Sequence, residues 1–452
     1  MGHRGDPRLD PEVHLMAGVQ DKSLVALKGW PLGVDNITPE FALKAGSARL
    51  IVDCDLYPDT GKLRRRDGYT KSLTTTRSHS LYRAPDCPFM LYVDNGALKS
   101  VTGEMAPTTL KSGLNAGLPL TYTASDRMIY WSNSQLTGRV SYTGAVSTWG
   151  VESPSGVPAL AAYASGGLDG GTYQVAITYL RAGEEGGSTL AALVDITDGK
   201  GIQLTYIPQP VDAAVDTVRI YRSKANGDVL FWAHDLPVGV TSYIIGRTDV
   251  TAPLGTQFME PMPAGQCVAW FNGMSLVMVD RVLYWSHPLL PGLTTPFENY
   301  LRFHDRGTML APIGIGADAG LYVAAGHQTY YLSGASPKTW QRVVAYPHGA
   351  VAGTLRYVRG SSLPAFLKAT AEEYPVWVAT NGSFVVGMRG SIQPLTENRV
   401  ALPEYERGAA LYRENRGIKQ LIATLNNAGT QASLKASDSA VATIYRNGVE
   451  IP

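Results

Sequence analysis

The chain has 452 residues, and its 39 Lys and Arg nearly balance 38 Asp and Glu, which argues against a dedicated nucleic-acid binder held by bulk charge. Charged residues make up only 17% of it, below the roughly 25% of typical soluble domains; that low density fits faces buried against copies of itself or other subunits. Abundant Gly (48), Pro (28) and Tyr (24), with long helix-forming runs rare, read as an all-β chain with many tight turns.

In chain order, residues 1–45 are expected to form an N-terminal arm. Met1-Gly2-His3-Arg4-Gly5-Asp6 lacks the apolar stretch of a signal peptide, and Asp6 stands where myristoylation needs Ser or Thr. Val13 to Ala26 offers a short helix or an extended interaction segment. No stretch approaches the ~18 apolar residues of a membrane span. Residues 46–155 open a series of β-hairpins. Arg49 to Val52 and Lys62 to Arg64 read as strands, Phe89 to Val93 turns at Asn95-Gly96 into Ala97 to Val101, and Leu120 to Asn133 turns near Asp126. The Asn-Gly pair supplies the positive φ values that a two-residue turn needs.

Residues 156–261 interrupt the series between two loose Gly/Pro-rich borders. Inside, Thr172 to Tyr179, Val218 to Ser223, Val229 to Ala233 and Ser242 to Ile245 give the short, alternating strands of an inserted immunoglobulin- or fibronectin-like sandwich. Residues 262–452 resume the hairpins at Cys267, Leu321 and Val376, and end in Ile418 to Leu425 and Val441 to Tyr445.

Asp126-Arg127-Met128-Ile129-Tyr130-Trp131-Ser132 and Asp280-Arg281-Val282-Leu283-Tyr284-Trp285-Ser286 are near copies, the mark of a repeated supersecondary unit. The hairpins recur every 31 to 55 residues or so once the insertion is removed, which brackets the ~40–50 of a β-propeller blade. The expected fold is a β-propeller of about six blades, closed by pairing the N-terminal strands with the C-terminal ones so that few edges stay open.

Catalytic patterns are weak. Ser336 to Trp340 and Val146 to Trp149 keep only the Thr-Trp end of a sialidase box, and the acidic residues Glu372, Glu373, Glu404 and Glu406 read as solvated charges rather than a glycosidase pair. The histidines show no HxxxH or HxH spacing, no Gly-x-Ser-x-Gly elbow occurs, and Cys54, Cys87 and Cys267 read as thiols of a chain folded in a reducing cytoplasm. No enzyme, metal or cofactor is expected. The one dense basic run, Lys62-Leu63-Arg64-Arg65-Arg66, makes Lys62, Arg64, Arg65 and Arg66 candidate contacts to a neighbouring subunit or to DNA, with alternate side chains on opposite strand faces.

Gly33-Val34-Asp35-Asn36, Ala42 to Arg49, Asp53-Cys54-Asp55 and Thr60-Gly61-Lys62-Leu63-Arg64-Arg65-Arg66-Asp67-Gly68-Tyr69-Thr70 follow one another in an order that resembles the opening of tailed-bacteriophage structural proteins. Ala264 to Gly273, Val282 to Ser286, Ile313 to Gly316 and Tyr330 to Gly334 are similar to the same class. The class is the tail hub or nozzle of short-tailed phages, including packaged-DNA stabilisation proteins. The resemblance implies a virion tail protein made in the host cytoplasm, in about six copies around a channel through which double-stranded DNA leaves. It also implies partners in the portal adaptor and in tail fibres or spikes. A tail-tip or receptor-binding protein of a long-tailed phage, and a propeller lectin or glycan hydrolase, are the alternatives.

Overall fold

The computed structural model of the chain describes residues 29–52, 54–57, 61–66, 68, 70–247, 250–370, 372–396, 399–400, 402, 405–415, 418–426 and 440–446. The Val13 to Ala26 segment, Glu404 and most of residues 1–45 lie outside them. Among the described residues every regular element is a β-strand or a single 3-10 turn, so the chain is all-β. No helix there is long and apolar enough to cross a membrane.

Five antiparallel meanders of four strands form in chain order. Sheet 1 is Ser78–Tyr82, Met90–Asp94, Ala97–Val101 and Pro107–Lys111; sheet 2 is Thr121–Ser125, Met128–Ser132, Thr137–Ser141 and Val146–Ser147. Sheet 3 is Cys267–Phe271, Met274–Val279, Val282–Trp285 and Tyr300–Arg302. Sheet 4 is Gly307–Ile313, Gly320–Ala325, Gln328–Ser333 and Gln341–Tyr346; sheet 5 is Arg356–Arg359, Glu373–Val378, Phe384–Met388 and Ser391–Pro394. A terminal sheet of Arg407–Asn415, Ile418–Asn426 and Ala440–Arg446 follows.

Strand alternation gives each central sheet two apolar faces, and each face packs on a neighbouring sheet. In sheet 2, Ile129 and Trp131 point to Leu91, Val93 and Leu98 of sheet 1, while Tyr130 points to Val268 and Val277 of sheet 3. Leu276 and Met278 of sheet 3 meet Leu321 and Val323 of sheet 4, whose other face carries Tyr322 and Ala324 against Trp377 of sheet 5. The same core runs on to Leu421, Ala423 and Leu425 of the terminal sheet. Successive small sheets stacked face to face make the architecture β-propeller-like. Within sheet 2, Gly138 stands opposite Trp131 in the ladder and leaves room for the indole where a Cβ would sit 2.3 Å from the ring.

The expected hairpins at 89, 321 and 376 are present, one reading is extended and two are corrected. Sheets 1, 4 and 5 begin one strand before the hairpins at 89, 321 and 376, because their first strands are poorly patterned. Ser78–Tyr82 is polar and bulged, Gly307–Ile313 contains Pro312, and Arg356–Arg359 is bounded by arginines. The near copies also occupy different places: Met128–Ser132 is the second strand of its sheet and Val282–Trp285 the third. They share a packing solution, with Trp131 and Trp285 buried in different cores, and do not mark equivalent strands. Finally, the expected closing ladder is not formed among the described residues. Arg49 to Val52 is not a strand, Lys62–Arg65 pairs with Cys54–Tyr57, and Ile418–Asn426 is flanked by Arg407–Asn415 and Ala440–Arg446.

The insertion forms two sheets over one core. Ala159–Tyr163, Gly201–Thr205 and Tyr243–Ile245 make the first; Gly171–Arg181, Glu184–Glu185, Ala192–Ile196, Thr217–Arg222 and Phe231–Pro237 make the second. Tyr173, Val175, Ile177 and Tyr179 of the long strand meet Ile202, Leu204 and Ile245 across the core. The first two strands of an immunoglobulin constant-type domain share a sheet, whereas here Ala159–Tyr163 and Gly171–Arg181 lie in opposite ones.

Candidate functional site: the N-terminal basic hairpin

The basic run lies on a two-stranded hairpin with Cys54 opposite Arg65, Asp55 opposite Arg64, Leu56 opposite Leu63 and Tyr57 opposite Lys62. Directly opposed residues share a face. Leu56 is buried on one of them, and the other carries Asp55, Tyr57, Lys62 and Arg64. Gly61 closes the turn at φ +63°, where its bare Cα lets the backbone of Trp30 and Pro31 come close; the Trp30 N–H donates to the Gly61 carbonyl at 2.6 Å.

Asp55 organises the site. Its side chain is 13% exposed and accepts from Arg66 Nε at 3.0 Å, Arg413 Nη2 at 3.0 Å and Gln420 Nε2 at 3.1 Å. Arg413 and Gln420 oppose each other in the terminal sheet and are joined through Arg413 Nε. Burial alone would raise the Asp55 carboxyl. Hydrogen bonds from Gln420 and Arg66, with the charges of Arg66 and Arg413, outweigh it and hold the group below its ordinary range. One carboxylate therefore fastens the start of the described chain to its end.

The segment before the hairpin adds two more ties. The Asn36 N–H donates to the Arg399 carbonyl at 2.9 Å, and Arg399 Nη2 donates to the Leu32 carbonyl at 2.6 Å. Asp35 is buried and accepts from the backbone N–H and hydroxyl of Thr38.

The four candidate cations thus divide. Arg66 turns back into the clasp, while Lys62, Arg64 and Arg65 are exposed, with Arg64 also reaching the Tyr57 hydroxyl at 3.3 Å. Of the carboxylates weighed for glycan chemistry, Glu372 is paired with Arg389 at 2.6 Å, Glu373 stands opposite Arg359 in the ladder, and Glu406 is exposed. The Thr-Trp fragments are structural: Trp149 is buried between sheets, and Trp340 donates its indole N–H to the Gly334 carbonyl. Among the described residues no group of His, Cys, Asp and Glu is placed to hold a metal ion, and the three cysteines are free thiols. Burial pushes the Cys267 thiol up to about 12, which makes it a poor nucleophile.

Sequence reasoning missed Asp55, Arg413 and Gln420. The one local signal was a set of polar side chains interrupting apolar strands, which names no partner.

No family model matches the sequence, and no curated protein is similar to it. Among solved structures, the chain is similar to an AfRom2 CNH domain at 9% identity, covering 72% of this chain and 82% of that one, with a TM-score of 0.23. It is similar to the N-terminal domain of Nup159 at 10% identity, over 75% and 71% of the two chains, with a TM-score of 0.23. For Saccharomyces cerevisiae Sqt1 the identity is 7%, over 73% and 100%, with a TM-score of 0.19. Likeness this low carries no functional argument, and the fold description rests on the sheets of this chain.

Proposed function

We propose that the protein is a non-enzymatic structural subunit of a tailed-phage tail, the nozzle or hub of a short tail. In this reading sheets 1 to 5 and the terminal sheet are the blades of a propeller of roughly six blades, and the sandwich is an appended docking module. About six copies would form a closed ring around the DNA channel, below the portal adaptor and bearing fibres or spikes.

The observation that carries the reading is where the phage-like segments lie. Gly33 to Asn36 and Gly61 to Arg66, which carry the resemblance, are the segments tied to Arg399, Arg413 and Gln420 near the other end of the chain. Residues fixed for such a clasp serve construction of the body rather than chemistry on a substrate. Lys62, Arg64 and Arg65 then remain as contacts for a neighbouring subunit's carboxylates or for passing phosphate.

Light scattering of the purified full chain, followed by negative-stain electron microscopy, tests this. Rings of about six subunits with a central hole are expected. A monomer that stays monomeric with phage portal and adaptor present, and that binds or cleaves a host glycan, would overturn it.

A further inference from the structure

A second set of paired charges lies at the root of the inserted sandwich. Arg139, in the third strand of sheet 2, makes a two-pronged contact with Glu184 at 2.6 and 3.2 Å. Arg181, at the end of the insert's long strand, is 6% exposed and reaches Glu184 at 3.1 Å and Asp212 at 3.3 Å. It also donates to the Thr148 carbonyl at 3.3 Å and to the Thr148 hydroxyl, which in turn donates to Asp212 at 3.0 Å. Glu152 accepts the backbone N–H groups of Val211 and Asp212 at 2.6 and 2.8 Å.

Thr148 leads directly into Trp149, which is 1% exposed and fills the seam between sheets 2 and 3. Its ring lies 5.2 Å from that of Tyr130, and its indole N–H donates to the Pro291 carbonyl at 2.9 Å. Gly150 follows, packed so closely that a Cβ there would stand 2.3 Å from the Gly292 carbonyl oxygen. The residue Arg181 grips is therefore the covalent neighbour of the seam's central side chain, and the contact on its far side leaves little slack.

We infer that the sandwich root is a latch that couples the setting of the insert to the integrity of the seam between sheets 2 and 3. With the latch closed, Thr148 is fixed and Trp149 is held in place. With it open, the insert swings on residues 148–156 and 250–262, and Trp149 keeps its Pro291 bond but loses the fixed backbone at Thr148 beside it. The inference does not depend on the protein being a tail subunit.

Hydrogen exchange on the full chain, with small-angle scattering, tests the coupling through Arg181→Met. The expected result is a larger maximum dimension and roughly tenfold faster exchange in Met128–Ser132 and Cys267–Phe271, with sheet 1 and sheet 4 unchanged. A looser insert with unchanged seam exchange overturns the coupling, and no change in either measurement overturns the latch. Ile202→Val, which weakens the sandwich core away from the root, is the control. If it speeds seam exchange as much as Arg181→Met does, the effect is generic and the latch is overturned. Should Arg181→Met fail to fold, Glu184→Gln is expected to shift exchange in the same peptides by a smaller factor; unchanged peptides would overturn the latch equally.

Discussion

The two clasps of this molecule are electrostatic opposites. At the N-terminal hairpin one carboxylate, Asp55, gathers Arg66, Arg413 and Gln420. At the sandwich root one guanidinium, Arg181, gathers Glu184, Asp212 and Thr148. Both centres are one-sided, since a carboxylate only accepts and a guanidinium only donates. What differs is the surroundings, because without Asp55 the cations Arg66 and Arg413 lose the charge they share and keep neutral partners in the Cys54 carbonyl and Gln420. The acids around Arg181 keep other partners: Glu184 retains Arg139, and Asp212 retains Thr148 and the Ala214 N–H. Removing the centre should therefore hurt the first clasp more than the second.

Asp55→Ala is the harshest test, because it leaves Arg66 and Arg413 without the carboxylate they share. A loss of about 3–5 kcal/mol is expected, read as a lower Tm and faster exchange in Cys54–Tyr57 and Ile418–Asn426. If both stay at wild-type values, this end of the chain is held by the ties of Leu32 and Asn36 to Arg399 instead. Arg181→Met replaces a charge by apolar volume and leaves its acids partly satisfied, so about 2 kcal/mol is expected. An equal or larger loss than for Asp55→Ala would break the comparison.

Acid sharpens it further. Asp55 and Asp212 both have folded pKa values held below the ordinary carboxyl range. For Asp212 burial again acts upward and is outweighed, here by the Ala214 N–H, the Thr148 hydroxyl and the Arg181 charge. A depressed folded pKa stabilises the native state above the unfolded value of about 3.9, and that contribution is lost as pH falls through the folded value. Both clasps should hold from neutral pH to about pH 4 and weaken below it. Asp55→Asn should flatten the acid limb of a Tm-against-pH curve; an unchanged limb would show that Asp55 titrates alike in both states.

Much of the body was legible in the sequence because its signals are local. Met90 to Val93 is a short apolar run ending at a turn, Asn95-Gly96 and Asn272-Gly273 adopt the positive φ values expected of them, and the insert's strands announce themselves by period. What failed was register. A strand such as Gly307–Ile313 is buried on both faces and carries a proline, so it shows no alternation, and only the turn at Gly314 and Gly316 after it marks its end. The clasps were illegible for a different reason. Asp55 and Arg413 are 358 positions apart, and a charged residue inside a strand says only that a partner is needed. Arg66 and its three basic neighbours show the same gap, since only the fold separates the cation that is spent on Asp55 from those that are exposed.

That separation gives the smallest expected effect and the last test. Lys62, Arg64 and Arg65 are exposed, so each alanine variant should change stability by no more than about 0.5 kcal/mol. Arg66→Ala should cost more, because it strips a donor from Asp55. The triple variant Lys62→Ala, Arg64→Ala and Arg65→Ala then removes the exposed charge together, the Arg64 bond to Tyr57 included. If the cations meet DNA, retention of a duplex should weaken and its salt dependence should become shallower, by a slope of about 0.9 for each phosphate no longer neutralised. If they meet a neighbouring subunit, ring formation should fail at moderate salt while duplex retention stays as it was. A variant that assembles and retains DNA as the wild type does would leave these three side chains with no role beyond their own chain, and would confine the role of the hairpin to the clasp at Asp55.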